Sequence, residues 1–133
     1  MTKIGEMDLV HAILCEDVRQ DKQNKYMIIG MFTGNIIVTE LPVQVQLAIF
    51  LQMNGRGGPH PLFLRLSGPG EDSVVLETGI TFDDNIGTAT MNTPRLDVHM
   101  EVEGMFRVDL SVDQETWVPA IEKKVVLGPI PTS

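Results

Sequence analysis

The chain has 133 residues, with 18 acidic and 10 basic side chains and a formal charge of −8. This charge disfavours nucleic acids and anionic membrane surfaces as partners, because binding to both depends on Lys and Arg contacts with phosphate groups. No apolar stretch approaches the roughly 18 residues of a membrane-spanning helix. Cys15 is the only cysteine, which excludes an internal disulfide and is consistent with a reducing cytoplasm. We therefore expect a soluble chain that forms one domain, residues 1–133.

Patterns of apolar and polar residues predict β-strands along most of the chain. Residues 9–15 and 26–32 are apolar on both faces, which is typical of central strands covered on both sides. Between them, residues 16–22 are expected to form at most a helical turn. In residues 43–53 every odd position is apolar and Gln occupies three even positions. A helix cannot place such residues on one side, whereas a strand does.

Further strands follow at short intervals, separated by turns rich in Gly, Pro, Asp and Asn. In the last of them Pro119 cannot donate to a ladder, which predicts an edge or a bulge there. Asp113–Glu115 is predicted to be a tight hairpin turn between the final two strands. The sequence thus predicts an all-β fold, a single-domain antiparallel β-sandwich of about eight strands. The remaining predicted strands are 62–66, 74–82, 86–91 (the weakest), 96–103, 106–112 and 116–127.

Nucleophilic chemistry has little support in the sequence. Cys15 follows His11 by four residues, but four strand residues span about 13 Å, so the pair is too far apart for proton transfer. We interpret Cys15 as an inert core thiol and His60 and His99 as surface histidines. No catalytic, cofactor-binding or metal-ligating residue is predicted, and the chain is not expected to be an enzyme.

One acidic region could hold a cation. Asp83-Asp84-Asn85 precedes Gly87 and resembles the start of a calcium loop, but the position that should carry the final carboxylate is Pro94. Additional ligands would have to come from elsewhere, such as Glu71 and Asp72. We interpret this region as a solvated turn, with weak binding of a divalent ion as the alternative. The glycine-rich segment 55–58 lacks the ending of a phosphate loop and is interpreted as a strand connection.

Several apolar residues are candidates for an interface. Met105 falls on the polar face of its strand, and Trp117 lies beside the Pro119 edge, where an aromatic side chain could anchor a partner. The chain ends in a proline-rich segment that could lie on a neighbouring molecule. The predicted interface residues are Met105, Trp117, Pro129, Ile130 and Pro131.

Two segments near the N-terminus resemble a known family. Ala12–Arg19 reads Ala-Ile-Leu-Cys-Glu-Asp-Val-Arg, and Lys25–Phe32 is a Lys-led strand ending in Gly-Met-Phe. With the hairpin at Gly104–Asp113, these features resemble a widespread family of small uncharacterised β-sandwich proteins of bacteria and their phages, with an Ala-x-x-Cys-Glu-x-x-Arg signature. The resemblance implies a sandwich and no activity. Within the signature, we expect Glu16 and Arg19 to pair across a turn.

These observations favour a non-enzymatic structural or interaction protein. Its most concrete form is a phage virion accessory subunit, either a capsid decoration or a cement protein, with protein partners through self-association or a larger assembly. It would then be located in the virion, or in the cytoplasm if the gene is bacterial. The alternative is a bacterial cytoplasmic β-sandwich that binds a carbohydrate or calcium. An enzyme is the third hypothesis, and it is disfavoured because the sequence shows no catalytic constellation.

Overall fold

A computed structural model describes residues 2–23, 25–82 and 87–129, and these residues form eleven β-strands in two sheets. The fold is all-β, which confirms the predicted class. The strands are β1 Thr2–Ile4, β2 Met7–Gln20, β3 Tyr26–Met31, β4 Ile36–Val38, β5 Val43–Asn54, β6 His60–Ser67, β7 Val74–Ile80, β8 Thr88–Asn92, β9 Leu96–Met100, β10 Gly104–Ser111 and β11 Val118–Leu127.

The first sheet has six strands and is organised around β2 and β5. β2 pairs with β5, and β5 pairs on its other side with β8 and then with β9. β1 and β3 pair with opposite ends of β2. The second sheet has five strands in the order β4, β11, β10, β6, β7. All pairs are antiparallel except β4 with β11, which is parallel. The strands β1 and β4, of three residues each, are too short to show a period and were not predicted.

A single apolar core lies between the sheets. Four odd-numbered residues of β5, from Leu47 to Met53, are fully buried in it, as are Phe106, Val108 and Leu110 of β10. The two-residue period predicted for these strands is therefore confirmed. Ala48 and Phe50 are also buried, but they face away from this core. β5 is accordingly covered on both sides.

Two predictions near the N-terminus were wrong. Residues 16–20 belong to β2 and pair with β3, from Asp17 opposite Ile29 to Gln20 opposite Tyr26, so they form no helical turn. β3 was predicted to be a central strand, but within the described part of the chain it pairs only with β2 and is an edge strand. The first prediction failed because pairing with β3 holds residues 16–20 in an extended strand. The second failed because apolar residues of β3 are exposed to solvent, whereas a central strand would be covered on both faces.

Of the two predictions for the C-terminal hairpin, the bulge at Pro119 is confirmed, but the tight turn at Asp113–Glu115 is wrong, because six residues connect the two strands. At Pro119 the ladder shifts by one residue, because Val108 pairs with Ile121 while Asp109 pairs with Pro119. The bulge leaves Ala120 without an opposite residue. The connection between β10 and β11 spans residues 112–117, where the Asp113 carboxylate accepts backbone N–H groups from Glu115 and Thr116. No membrane-crossing helix is present in residues 2–23, 25–82 and 87–129.

Candidate functional site

The predicted interface residues are split between the two ends of the second sheet. Met105 is 39% exposed and lies opposite Lys124, and Pro129 is exposed just beyond β11. Trp117 precedes β11 at its other end, seven residues from Lys124, or about 20 Å along the strand. Met105 and Pro129 therefore lie near one end of the second sheet, and Trp117 lies at the other. Ile130 and Pro131 lie outside the described residues.

Trp117 is half-buried and belongs to a cluster on the second sheet. The Arg65 guanidinium lies 4.4 Å from the centre of the Trp117 ring and donates to Oδ2 of Asp109 at 3.1 Å. Asp109 is buried, and it is opposite Pro119 in the ladder. One face of the tryptophan is thus occupied by a cation from its own chain, which gives it a structural contact that the sequence did not predict.

β3 presents an apolar stripe that sequence analysis missed. Met27, Ile29 and Met31 occupy alternate positions and are 48%, 40% and 52% exposed. Because alternate residues of a strand point to one side, these three side chains form a row. The signal was visible as an apolar run, but a run of this kind is equally typical of a strand buried on both faces. We define Met27, Ile29 and Met31 as the β3 stripe.

The second half of β2 and β3 form a two-stranded ribbon, residues 16–31. β2 leaves β5 after Cys15, which is the last residue of their ladder, and continues with β3 alone. Gly30, close to this point, has a φ of +66°, a backbone conformation that favours glycine. At the far end the Tyr26 ring packs edge-on against Phe50, with 5.3 Å between centroids. The ribbon therefore contacts the face of β5 that points away from the core.

A local ion pair lies on the β2 side of the ribbon. Arg19 Nε donates to Asp17 Oδ2 at 3.1 Å, and this contact, more than any other, holds the pKa of Asp17 below its ordinary value. The sequence predicted a pair between Arg19 and Glu16, but Arg19 pairs with Asp17 instead. The side chain of Glu16 instead lies against Gly30. Both members of the pair are on one strand, so the pair leaves the outer edge of β3 open.

A second candidate site is a cluster of Glu71, His99 and Glu101. His99 Nε2 lies 2.8 Å from Glu101 Oε2 and 3.4 Å from Glu71 Oε1, and one ligand atom from each residue falls within 4.8 Å of the others. All three side chains are exposed. His99 was predicted to be a surface histidine, and it is exposed. The turn after β6 also brings Glu71 next to it. The sequence could not show this, because 28 residues separate Glu71 from His99.

The cluster borders an acidic pocket of about 270 Å³. Glu71, Asp72, Asp97 and His99 line it together with apolar residues of β6, β7 and β9, and its described lining includes neither Lys nor Arg. The local potential is therefore negative, which favours a cation over an anion. Residues 83–86, most of the predicted calcium-loop start, lie outside the described residues.

The remaining chemical candidates have structural roles. Cys15 is fully buried, its Sγ donates to the carbonyl of Ala48 at 3.5 Å, and burial raises the pKa of the thiol. His11 is exposed, so the thiol and the imidazole lie in different environments. In the segment 55–58, a Cβ on Gly55 would lie 2.7 Å from the Phe82 ring, and this glycine is required for close packing. These contacts support the interpretations made from the sequence.

The comparisons with known proteins give a family. No curated protein matches the chain. A family model described as a family of unknown function (DUF6941) matches residues 10–119, which is 110 of the 133 residues. The matched region contains the β2–β3 ribbon, the Glu71–His99–Glu101 cluster, Met105 and Trp117. This chain belongs to the DUF6941 family, whose function is unknown.

Proposed function

We propose that this protein is a non-enzymatic structural and interaction protein, and that the β2–β3 ribbon is the surface through which it binds other protein chains. The observation that carries the proposal is the β3 stripe, a row of three exposed apolar side chains on an edge strand. An edge strand offers unpaired backbone N–H and C=O groups, and a partner strand can satisfy them while covering the apolar row.

The more specific form of this function is a phage virion accessory subunit, such as a capsid decoration or cement protein. The family resemblance to small proteins of bacteria and their phages supports it. So does the negative surface, which suits a partner with a basic patch. On a capsid lattice, individually weak strand contacts would add through multivalency. Met105 and Pro129, exposed at one end of the second sheet, would then provide a separate contact to a neighbouring subunit.

Co-sedimentation with capsid shells of the phage that encodes the chain tests this function. We expect the wild-type protein to pellet with shells in a saturable manner. Ile29→Lys should weaken the interaction at least tenfold, because it places a charge in the β3 stripe. The matched control is Val74→Lys, which changes an apolar side chain of β7 that is 57% exposed. Failure of the wild type to bind shells, or equal loss in both variants, would contradict the proposal.

A second candidate function is the binding of a divalent cation by Glu71, His99 and Glu101. The observation in its favour is the convergence of an imidazole and two carboxylates beside an acidic pocket. In tetrahedral zinc sites with bonds near 2.0–2.1 Å, ligand atoms lie about 3.3 Å apart. The 3.4 Å between His99 and Glu71 is close to this value, whereas His99 and Glu101 are 2.8 Å apart and would have to separate to hold the ion. Calcium prefers six to eight oxygen ligands, so this donor set favours zinc over the calcium considered from the sequence. The carbohydrate alternative has less support, since Arg65 covers one face of Trp117.

Titration calorimetry with zinc and with calcium tests the second function. We expect one zinc per chain in the wild type, loss of that binding in His99→Ala, and little heat with calcium. His11→Ala is the matched control, because His11 is exposed and on a different strand. Absence of zinc binding in the wild type, or its persistence in His99→Ala, would remove this candidate.

A further inference from the structure

In the described part of the chain, β3 combines an open edge with exposed apolar side chains. Natural edge strands are protected by charged side chains, Pro or shortness. β1 is three residues long and carries Lys3, and β7 carries Glu77. β8 has neither charge nor Pro, but three of its five residues are polar, whereas β3 has six residues with neither charge nor Pro and an exposed apolar row. Its exposed side chains are also the largest apolar row in the described part of the chain. An unprotected apolar edge of this kind is expected to have a partner strand.

The charge distribution favours a second copy of the same chain as that partner. Residues 16–31 contain three acidic and three basic side chains, so the whole formal charge of −8 is carried by the rest of the chain. Two molecules of like charge repel one another, and this repulsion is weakest where the surfaces that meet are neutral. Contact between two ribbons is therefore less opposed by charge than contact between the acidic remainders of the two chains.

The apolar pattern of β3 is also self-complementary. We propose that β3 pairs antiparallel with β3 of a second copy, around a two-fold axis at Ile29. Antiparallel pairing about this residue places Ile29 opposite its own copy and Met27 opposite Met31, as in any isologous contact. Lys25 then falls opposite Thr33, so no like charges oppose each other. Beside Met31 lies an open pocket of about 260 Å³ that is also lined by Ile13 and Ile121.

This pairing makes a second copy of the chain the partner of the proposed interaction surface, and it rests on the proposed function. It would join the two six-stranded sheets into one continuous sheet across the axis. Three half-exposed side chains per chain bury much less area than the roughly 800 Å² per partner of a standard interface. The dimer is therefore expected to be weak and dependent on concentration, with a dissociation constant in the micromolar range or above.

A cysteine placed on the two-fold axis tests the register directly. In antiparallel pairs the Cα atoms of opposite residues lie about 4.5–5.5 Å apart, within the range that a disulfide spans. We expect Ile29→Cys to form a disulfide-linked dimer under mild oxidation. Cys15 is fully buried and should not compete. The matched control, Val74→Cys, places a thiol on the exposed edge strand β7 and should remain predominantly monomeric.

Sedimentation velocity of the wild-type chain over a wide range of concentrations provides the second measurement. We expect a monomer–dimer equilibrium that Ile29→Lys shifts to monomer, with thermal unfolding showing that this variant is folded. If Ile29→Cys fails to cross-link, or Val74→Cys cross-links as readily, the pairing is overturned. If the wild-type chain stays monomeric yet binds capsid shells, the pairing is overturned and the virion role is supported. A cross-linked dimer whose wild-type form binds no shells supports the pairing and overturns the virion role.

Discussion

At the scale of single residues, Gly30 holds the ribbon backbone in a conformation that favours glycine. Its φ of +66° disfavours any residue with a Cβ, and a Cβ there would lie 2.6 Å from Cδ of Glu16. The Glu16 side chain is flexible and exposed, so most of the cost of substitution comes from the backbone. We expect Gly30→Ala to lower the free energy of unfolding by about 1–2 kcal/mol, measured by urea denaturation.

Gly34 supplies the matched control for this prediction. It lies just after the ribbon, and a Cβ there would meet no atom within 4 Å. Gly34→Ala should leave stability unchanged or raise it slightly, because alanine reduces the entropy of the unfolded chain. Equal destabilisation by both substitutions would show that the positive φ at Gly30 is not the cause.

Asp113 gives a residue-scale prediction about pH. Its pKa is lowered from 3.8, first by the hydrogen bond from the Thr116 N–H, then by that from Glu115, and also by the Ser111 hydroxyl. Because the native pKa lies below the unfolded one, the stabilisation is present above the unfolded pKa and is lost as pH falls through the native pKa. We expect Asp113→Ala to lower the melting temperature at pH 7 and to have a smaller effect as pH falls below 3.8.

Asp113→Asn separates the hydrogen bonds from the charge. An asparagine oxygen can still accept the two N–H groups of the turn. This variant should keep more of the stability at pH 7 than Asp113→Ala, and its melting temperature should vary less than that of the wild type over the acidic range. A melting-temperature difference between wild type and Asp113→Ala that persists unchanged to pH 2 would contradict the role given to the carboxylate.

At the scale of elements, Arg65 links three strands of the second sheet at the bulge. It lies on β6, donates to Asp109 on β10, and stacks on Trp117 just before β11. A double-mutant cycle with Arg65→Met and Trp117→Leu should give a coupling of about 0.5–1 kcal/mol, the usual size for a cation–π pair near the surface. The free energies come from urea denaturation of the four proteins. A coupling near zero would mean that the ring and the guanidinium are neighbours without mutual stabilisation.

The elements that the sequence predicted well are those in which every second residue faces the core. In β5 and β10 these residues are apolar, because burial of one face selects apolar side chains at every second position, although Ala48 and Phe50 on the other face of β5 are buried as well. The prediction that β3 is a central strand failed because its apolar residues continue on the exposed face. The Glu71–His99–Glu101 cluster was missed because only the packing of the β6–β7 turn beside β9 makes these residues neighbours. Periodicity carries local information, whereas contacts between distant segments depend on topology.

At the scale of the whole molecule, the net charge makes a prediction about self-association. Each chain carries −8, outside a neutral ribbon, so pairing of two copies is opposed by long-range repulsion rather than helped by ion pairs. The screening length falls from about 30 Å at 0.01 M salt to about 10 Å at 0.1 M, which removes most of this repulsion between the bodies of the two sandwiches. The apolar contact at the β3 stripe is not weakened by such screening.

The dimer should therefore become tighter as sodium chloride is raised, and we expect the dissociation constant to fall several-fold between about 0.01 M and 0.1 M. Sedimentation velocity at the two salt concentrations measures this change. A variant that removes charge far from the ribbon, Glu77→Gln on β7, should reduce the salt dependence slightly without changing the affinity at high salt. If the dissociation constant instead rises with salt, ion pairs must hold the interface together. The proposed contact between two neutral ribbons about Ile29 would then be wrong.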